Sequence, residues 1–347
     1  MRAGAVMVRP MDREASRRHR FFLCGLLSSL IFPLITVKAQ EAASVGPTPC
    51  PSTMIRAVRL PGNPIISQQM KNMEGANTDG PSLVAAPSWI EHPLGKYYLY
   101  FADHHGQHIS LATADRLEGP WTVREGGVLQ RSQTVCQNHI ASPDVHVDPA
   151  KREVRMYFHG PDEKGHVQRT YLAVSPDGLN FTASKVPLGP SYFCVFEHGG
   201  WFYTVTKKGE EGGYLFRSKD GVTPFEPGPR LISSHMRHAG HLLEGDTLYL
   251  FYSVTGEAPE RIYCSRLDLS RDWTQWEKTM SPPVTVLKPE TAYEGADLPL
   301  VPSEVGGAKG RRNELRDPCI FSENGRIYMV YTVAGESGLA IAELFLK

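Results

Sequence analysis

The sequence predicts an all-β protein, a five-bladed β-propeller, from three observations. A unit of three or four short strands recurs five times along the chain. The second strand of each unit is rich in aromatic residues, and turns containing Gly or Pro separate the strands. Repeats of roughly 40–50 residues with about four strands each are typical of propeller blades.

The second strands define the repeat most clearly. The units align on Tyr98, Met156, Tyr203, Tyr249 and Tyr328, which are 58, 47, 46 and 79 residues apart. The wide last interval indicates an insertion between the fourth and fifth units, around residues 281–315. Its Pro, Gly and charged residues predict a long loop, and long loops on a rigid scaffold often carry function.

The fifth unit contains only three strands, which begin at Pro318, Arg326 and Leu339. We expect the missing outer strand to come from Met54–Ser67, where apolar residues alternate with polar ones. This pairing would close the ring and leave no open sheet edge there.

Composition excludes two classes of protein. The 347 residues contain 37 Lys and Arg against 37 Asp and Glu, so the net charge is zero. A nucleic-acid-binding protein would carry a basic excess or stripe, and we therefore expect no nucleic-acid partner. The hydrophobic fraction of 41% argues against an acidic disordered chain.

The first residues have the pattern of a secretory signal. Six arginines lie within residues 2–20, an apolar run follows from Phe21 to Val37, and Ala39 ends a cleavage-like Val-Lys-Ala triplet. We predict a signal peptide over 1–39, a linker over 40–53 and one propeller domain over 54–347. The mature protein would be secreted or periplasmic, without stable membrane insertion; an uncleaved membrane anchor is the alternative.

Five cysteines remain after the predicted cleavage, and they allow at most two disulfides. None has Cys-x-x-Cys spacing, so a zinc cluster is not expected. Cys194 and Cys319 lie inside apolar, strand-like runs, where a cysteine usually acts as a small buried hydrophobic residue.

Two stretches of the chain resemble a known family. The strand Gly95–Phe101, followed by Leu-Ala-Thr-Ala and Gly-Pro-Trp, is similar to a blade of glycoside hydrolase family 43. Leu315–Pro318 with Gly325–Tyr328 is similar to another blade. The chain thus resembles the five-bladed β-propeller glycosidases, the superfamily of glycoside hydrolase families 43, 32, 68 and 117, over residues 77–347.

The resemblance implies three carboxylates at the axial funnel: a base on the first blade, a tuning aspartate on the second and an acid on the third. By position, Asp79 is the expected base, although Gly80 separates it from the Pro that usually follows directly. Asp144 matches the second-blade aspartate. The third blade departs from the pattern, since Ser191 and Tyr192 stand where a Glu is expected.

The missing acid has several candidates. Glu294 lies in the insertion, which could fold over the funnel, and Asp317 begins the first strand of the fifth blade. Some relatives resembling family 117 use a histidine as acid, which makes His139, before the second-blade strand, and His238, at the start of the fourth blade, further candidates.

Other residues at the funnel are candidates for binding. We predict that His139, Arg237 and Arg316 bind substrate, since Arg holds carboxylates and sugar hydroxyls in fixed geometry. His238 begins the fourth blade and is a candidate ligand for an axial divalent metal ion.

These features predict a secreted glycoside hydrolase that cleaves an oligo- or polysaccharide with inversion and needs no organic cofactor. The catalytic set would be Asp79, Asp144, Glu294 and Asp317. The alternatives are a non-catalytic carbohydrate-binding propeller and a structural or protein-interaction propeller. Convergence of these carboxylates at one end of the axis would favour the enzyme.

Overall fold

Five antiparallel sheets surround a common axis, which confirms the predicted five-bladed β-propeller. The computed structural model describes residues 55–346 apart from residues 210 and 234. The predicted signal peptide and linker lie outside these residues. None of the helices described is long and apolar enough to cross a membrane.

Each blade is an antiparallel meander whose first strand lies next to the axis. Blade I contains β3 (Asp79–Ala85), β4 (Tyr97–Ala102), β5 (His108–Ala114), β6 (Thr122–Val123) and β7 (Leu129–Gln130). Blade II contains β8 (Ala141–Asp148), β9 (Glu153–Pro161), β10 (Gln168–Ser175) and β11 (Thr182–Ala183). Blade III contains β12 (Val195–His198), β13 (Trp201–Lys207), β14 (Gly213–Ser218) and β15 (Glu226–Ile232). Blade IV contains β16 (Met236–Glu244), β17 (Thr247–Val254), β18 (Ile262–Asp268) and β19 (Val284–Leu287). Blade V contains β20 (Leu315–Glu323), β21 (Arg326–Val333) and β22 (Gly338–Leu346), together with β1 (Ile55–Arg59) and β2 (Ile66–Ser67).

The aromatic second strands fill the space between blades. Every residue of β4 is buried, because successive side chains point to opposite faces and each face packs on a different neighbour. Tyr97, Leu99 and Phe101 join the core between blades I and V, whereas Tyr98 and Tyr100 join the core between blades I and II. Similar apolar clusters lie at the other three blade interfaces.

The N-terminal strand closes the ring, as predicted. Strand β1 pairs antiparallel with β22, with Ile55 opposite Leu346 and Arg59 opposite Ala342. Strand β2 pairs with the other end of β22. Blade V is therefore built from both ends of the described chain.

The insertion is shorter than predicted. Residues 284–287 form β19, the outer strand of blade IV, so the loop between β19 and β20 covers 288–314. It contains the 3-10 helix Ala292–Glu294; the others described are Arg131–Gln133 and Trp273–Thr279.

Four cysteines lie in the described part of the chain, and none of them forms a disulfide. Cys194 is buried, in agreement with its apolar surroundings, and Cys319 is half-buried. Cys50 lies outside the described residues.

Candidate active site

The first strands of the blades begin with a repeated irregularity. The pairing register shifts between Asp79 and Ser82, Ala141 and Asp144, Met236 and Ala239, and Arg316 and Cys319. Four residues at this level have a positive φ between 46° and 64°: Gly80, Ser142, Tyr192 and Asp317. Such bulges re-aim side chains and are common next to active sites.

These strand starts approach one another at one end of the axis, which we call the mouth. A Cβ on Gly80 would lie 2.4 Å from the Ser142 Cα, and the Gly80 N–H lies 3.5 Å from Asp317 Oδ2. Turns between second and third strands reach the same end, because antiparallel strands alternate in direction. The mouth therefore collects residues from two places on each blade.

Seven of these residues form what we call the mouth cluster. They are Asp79, His104, His159, Tyr192, His238, Asp317 and Glu336. Asp79, Asp317 and Glu336 are 2%, 4% and 2% exposed, so three carboxyl groups share a nearly dry environment. Asp79 and Asp317 belong to the predicted catalytic set, and the structure brings them together.

Asp79 is the carboxylate that favours its charged form. Burial opposes ionisation, but the hydrogen-bonding contact with His104 and the nearby His159 and His238 hold its pKa below the ordinary value. His104 Nδ1 lies 3.3 Å from Asp79 Oδ2, and the Ser142 hydroxyl donates to the same oxygen at 3.2 Å. Asp79 is therefore ionised at neutral pH.

The pKa values of Asp317 and Glu336 are both raised. Burial raises the pKa of Asp317, and the negative charge of Asp79 raises it further against the opposing effect of the nearby cations. Burial also raises the pKa of Glu336 to about 7, although Arg316 donates to it at 2.7 Å. The mouth thus holds carboxyl groups whose pKa values are shifted in opposite directions, an arrangement that suits acid–base chemistry.

The histidines differ in charge. Burial disfavours the charged form of His104, but Asp79, Glu336 and Asp317 raise its pKa to about 9. Burial lowers the pKa of His159 to about 3, and burial with the neighbouring His105 and His104 lowers that of His139 to about 4. At neutral pH His104 is an imidazolium, whereas His159 and His139 are neutral.

Tyr192 occupies the third-blade position where a Glu was expected. Its ring lies 4.3 Å from the His159 ring and 5.6 Å from the His238 ring, centroid to centroid. Burial raises its pKa well above the ordinary value, so the hydroxyl stays protonated. The third blade therefore contributes a neutral hydroxyl to the mouth.

Several buried polar atoms of the mouth cluster lack a partner. Among the described residues, Asp79 Oδ1, His159 Nδ1 and both ring nitrogens of His238 form no hydrogen bond. Buried polar groups are normally satisfied, because an unsatisfied one costs about 1–3 kcal/mol. Such atoms at one place indicate a site that is completed by a ligand or by water.

Sequence reasoning missed Glu336, Glu260 and His104 as members of the mouth. Each lies in a turn between second and third strands, where a polar residue is usually solvated. The only available signal was topological, since these turns share the end of the blade at which the first strands begin.

The two predicted substrate-binding arginines differ from that prediction. Arg237 is buried and donates twice to Glu260, at 2.8 and 3.0 Å, and to the carbonyls of Glu304 and Gly306. Arg316 is buried and pairs with Glu314 and Glu336 while also donating to the Gly306 carbonyl. Both therefore tie the insertion to the mouth.

Part of the insertion does fold over the mouth, but Glu294 does not. Residues 304–308 contact Arg237, Arg316 and Glu336. Glu294 instead accepts from Arg59, at 2.7 and 3.0 Å, from the Tyr331 hydroxyl and from two backbone N–H groups. These contacts saturate its oxygens, and they correct the assignment of Glu294 as the acid.

Asp144 lies deeper along the axis than predicted. Its Oδ2 lies 3.0 Å from His146 Nε2 and accepts from the Val195 N–H at 2.8 Å. With Cys194, His241 and Cys319 it lines a narrow cavity of about 170 Å³, which we call the lower channel. The bulge before Asp144 places Ser142 at the level of Asp79, so the structure separates Asp144 from the mouth carboxylates.

The predicted metal ligand His238 belongs to the mouth cluster and also joins the wall of the lower channel. In the described part of the chain, no group of three or more His, Cys, Asp or Glu residues is arranged to hold a metal ion. The donor set does not fit a metal, and no step of the mechanism below uses one.

A cavity of about 1,000 Å³ opens beside the mouth cluster, between blades II and III. His104, His159 and Tyr192 form the wall that it shares with the cluster, and Val305 and Gly306 of the insertion form its rim. His139 also lines it and lies 3.1 Å from Gln168 through its Nε2. This cavity is the route by which a ligand reaches the unpartnered atoms.

Comparison with known sequences identifies one long match. The chain is 37% identical over 333 aligned residues to the uncharacterized protein R118 of Acanthamoeba polyphaga mimivirus, with 85% of this chain and 92% of R118 covered. No family model matches the chain.

Solved structures show the same fold. A glycosyl hydrolase from Bacteroides ovatus is similar with a TM-score of 0.60 and 13% identity, covering 84% of this chain and 93% of that one. The GH43_1 enzyme from Xanthomonas citri is similar with a TM-score of 0.53 and 13% identity, covering 78% of this chain and 87% of that one. An exo-1,5-alpha-L-arabinanase from a bovine ruminal metagenomic library has a TM-score of 0.53 and 15% identity, covering 80% of this chain and 99% of that one. The fold is that of the family 43-type propellers.

Proposed function

The chain belongs to the family of protein R118 of the mimivirus, and on the propeller that it forms we propose a glycoside hydrolase whose active site is the mouth cluster. The observation that carries the proposal is the pairing of two buried carboxyl groups on adjacent blades: Asp79, whose pKa is lowered, and Asp317, whose pKa is raised. Hydrolysis of a glycosidic bond needs one carboxylate and one carboxylic acid, and opposite pKa shifts favour that division.

The proposed reaction uses the two groups as base and acid. Asp79 takes a proton from a water molecule, whose oxygen attacks the anomeric carbon. Asp317 donates its proton to the leaving glycosidic oxygen as that bond breaks. His104, held between Asp79 and Glu336 at 3.3 and 3.9 Å, fixes the orientation and the charge of the base.

The surrounding residues support this division of roles. Glu336 is bonded to Arg316 and to the Ala308 N–H at 3.2 Å, whereas the negative charge of Asp79 raises the pKa of Asp317. The neutral His159 and the Tyr192 hydroxyl offer hydrogen bonds to sugar hydroxyls. Because both carboxyl groups are nearly buried, the sugar reaches them from the cavity beside His159 and Tyr192.

We propose an inverting outcome, in line with the resemblance to the propeller glycosidases. Inversion requires carboxyl groups separated by room for a water molecule, roughly 6.5–9.5 Å, whereas retention requires about 5–5.5 Å. The product anomer formed first, followed by ¹H NMR, decides between the two.

We also propose that the protein is exported and acts on an extracellular oligo- or polysaccharide. The support is the basic and apolar pattern of residues 1–39. An N-terminal sequence of the secreted chain that begins near residue 40 is the expected result; an N-terminus that retains the apolar run would contradict it.

A second candidate is a propeller that binds carbohydrate without cleaving it. The specific observation in its favour is Tyr192, which replaces the expected third-blade carboxylate by a group that stays protonated. This candidate predicts saturable sugar binding with no product.

The deciding experiment incubates the full chain with a panel of oligo- and polysaccharides and detects released sugars by chromatography. Asp79→Asn and Asp317→Asn serve as matched controls, because each keeps the side-chain shape but removes the ionisable group. Product formed by the wild type and lost in both variants supports the hydrolase. Binding without product supports the second candidate, and neither binding nor product rejects both.

A further inference from the structure

The cavity beside the mouth cluster has an unusual set of ionisable residues. Those lining it are all basic types: His104, His105, His139, His159, His166, Arg169, Lys207 and Lys208. Among the described lining residues there is no Asp or Glu. A cleft lined by charge of one sign concentrates ligands of the opposite sign. We propose that the cavity binds a sugar carrying an anionic group, either a uronate carboxylate or a sulfate ester.

Arg169 is the central residue of this inference. It lies near the start of β10, opposite Gly160, and is half-buried in the cavity wall. Its guanidinium group forms no hydrogen bond or ion pair with any residue that the structure describes. By contrast, Lys208 lies 3.7 Å from Glu211, and His104 is paired with Asp79. No described residue occupies the planar fork of donors of Arg169, and this fork suits bidentate contact with a carboxylate or sulfate.

The rest of the wall suits a sugar ring. Tyr214, Phe216 and Phe225 give an aromatic side, whereas His139 and His159 are neutral imidazoles that can donate to or accept from hydroxyls. His159 is buried and its Nδ1 has no partner among the described residues. The cavity thus offers cationic side chains, an apolar face and unpartnered polar groups at its boundary with the mouth cluster.

The inference deepens the proposed function and rests on it, since the anionic sugar would occupy a subsite next to the reacting bond. A cation that recognises the substituent beside the bond orients the ring relative to Asp79 and Asp317. A uronate carboxylate and a sulfate ester both carry a negative charge and acceptor oxygens, and the experiment below distinguishes between them.

The test measures binding by isothermal titration calorimetry to three ligands of similar length: an oligogalacturonate, a sulfated galactan oligosaccharide and a neutral galactan oligosaccharide. Hydrolysis of the same ligands is assayed separately. Variants are Arg169→Gln, which removes the charge, and Arg169→Lys, which keeps it. Arg152→Gln is the matched control, because Arg152 is an exposed arginine at the opposite end of the same blade.

We expect one anionic ligand to bind at least about tenfold more tightly than the neutral one, a factor that falls with added salt. Arg169→Gln should bring the two affinities within about threefold, Arg169→Lys should retain most of the preference, and Arg152→Gln should leave it unchanged. Circular dichroism and the Tm identify a variant that fails to fold, in which case the wild-type preference and its salt dependence decide.

Two outcomes overturn the inference: equal affinity for neutral and anionic ligands, or an unchanged preference in folded Arg169→Gln. Hydrolysis of neutral glycans without anion preference rejects the inference and keeps the hydrolase. Anion preference without any product keeps the anionic site and rejects the hydrolase.

Discussion

Two regions of this molecule bury carboxyl groups, and they do so in opposite ways. In what we call the closure seam, where β1 meets the insertion, Glu294 is fully buried and receives donors from Arg59, Tyr331 and two backbone N–H groups. In the mouth cluster, Asp79 is equally inaccessible, but its Oδ1 has no donor among the described residues. Burial alone therefore does not distinguish a structural carboxylate from a reactive one.

The difference lies in what each group can still bind. The oxygens of Glu294 are fully used, so a ligand would have to displace protein donors. Asp79 and Asp317 retain acceptor capacity, and their pKa values move in opposite directions. On the proposed function, the seam contributes stability and the mouth contributes the chemistry.

The largest expected effect is on catalysis at the mouth. We expect Asp317→Asn or Asp79→Asn to lower kcat/KM by about 10²–10⁴-fold, the usual size of a general acid or base contribution. The Tm of Asp317→Asn should stay the same or rise, since the environment of Asp317 disfavours its charge, whereas the Tm of Asp79→Asn should fall because His104 loses its partner. Steady-state kinetics with thermal melts measure both; variants with full activity would contradict the assignment.

Next in size is the effect of a side chain at Gly80. An added Cβ would lie 2.4 Å from the Ser142 Cα, and the φ of 51° is unfavourable for alanine. We expect Gly80→Ala to lower the free energy of unfolding by about 3 kcal/mol or more, from strain and overpacking together.

Gly245→Ala is the control for this substitution. Gly245 has a similar φ of 58°, but a Cβ there would meet no atom within 4 Å. The Gly245→Ala variant should lose only the part of the free energy of unfolding that comes from backbone conformation, about 1 kcal/mol. Equal losses in the two variants, measured by urea denaturation, would show that the first strands do not meet closely at Gly80.

In the seam, we expect Glu294→Gln to lower the free energy of unfolding by about 2 kcal/mol while kcat/KM changes little. The loss is below the 3–5 kcal/mol typical of a broken buried pair, because Arg59 is partly exposed and regains water. The exposed Glu125→Gln is the control. Strong loss of activity at unchanged stability would place Glu294 in the chemistry after all.

The smallest effect concerns pH. The pKa of Glu336 is raised to about 7, so the native state holds this proton more tightly than the unfolded chain. Its contribution to stability is fully present below about pH 4.5 and is lost as the pH rises towards 7, where the unfolded chain is already ionised.

Glu336→Gln should remove that part of the pH dependence, a slope of up to about 1.4 kcal/mol per pH unit between the two pKa values. The variant isolates Glu336 from His104, Asp79, Asp317 and Arg316, which face it and titrate or carry charge in the wild type. Urea denaturation at several pH values between 4.5 and 8 measures the difference. A variant whose curve parallels the wild type would contradict the raised pKa.

The fold was predictable because its signal repeats. Five aromatic second strands, each buried on both faces, gave the blade number, and alternation in residues 54–67 gave the closure. The outer strand β19 was missed because Val284–Leu287 is short and lies between prolines and charged residues that resemble a loop.

The site was less predictable because the local sequence does not show how far along the propeller axis each side chain lies. A bulge puts Ser142, rather than Asp144, at the level of Asp79, and Glu336 lies in an ordinary-looking turn. Arg237 and Arg316 have the chemistry of substrate ligands, but only the structure shows their buried partners. The proximity of Asp79 and Asp317 was predictable because the strand starts share one end of every blade.

The pairing of β1 with β22 has a consequence for how the chain folds. It joins Ile55 to Leu346, residues almost a full domain apart, and contacts of such sequence separation slow folding. During synthesis β1 has no partner until the last strand emerges, so its edge stays open to other chains. A chain interrupted before β22 leaves blade V incomplete, so the ring closes only in chains that contain both β1 and β22.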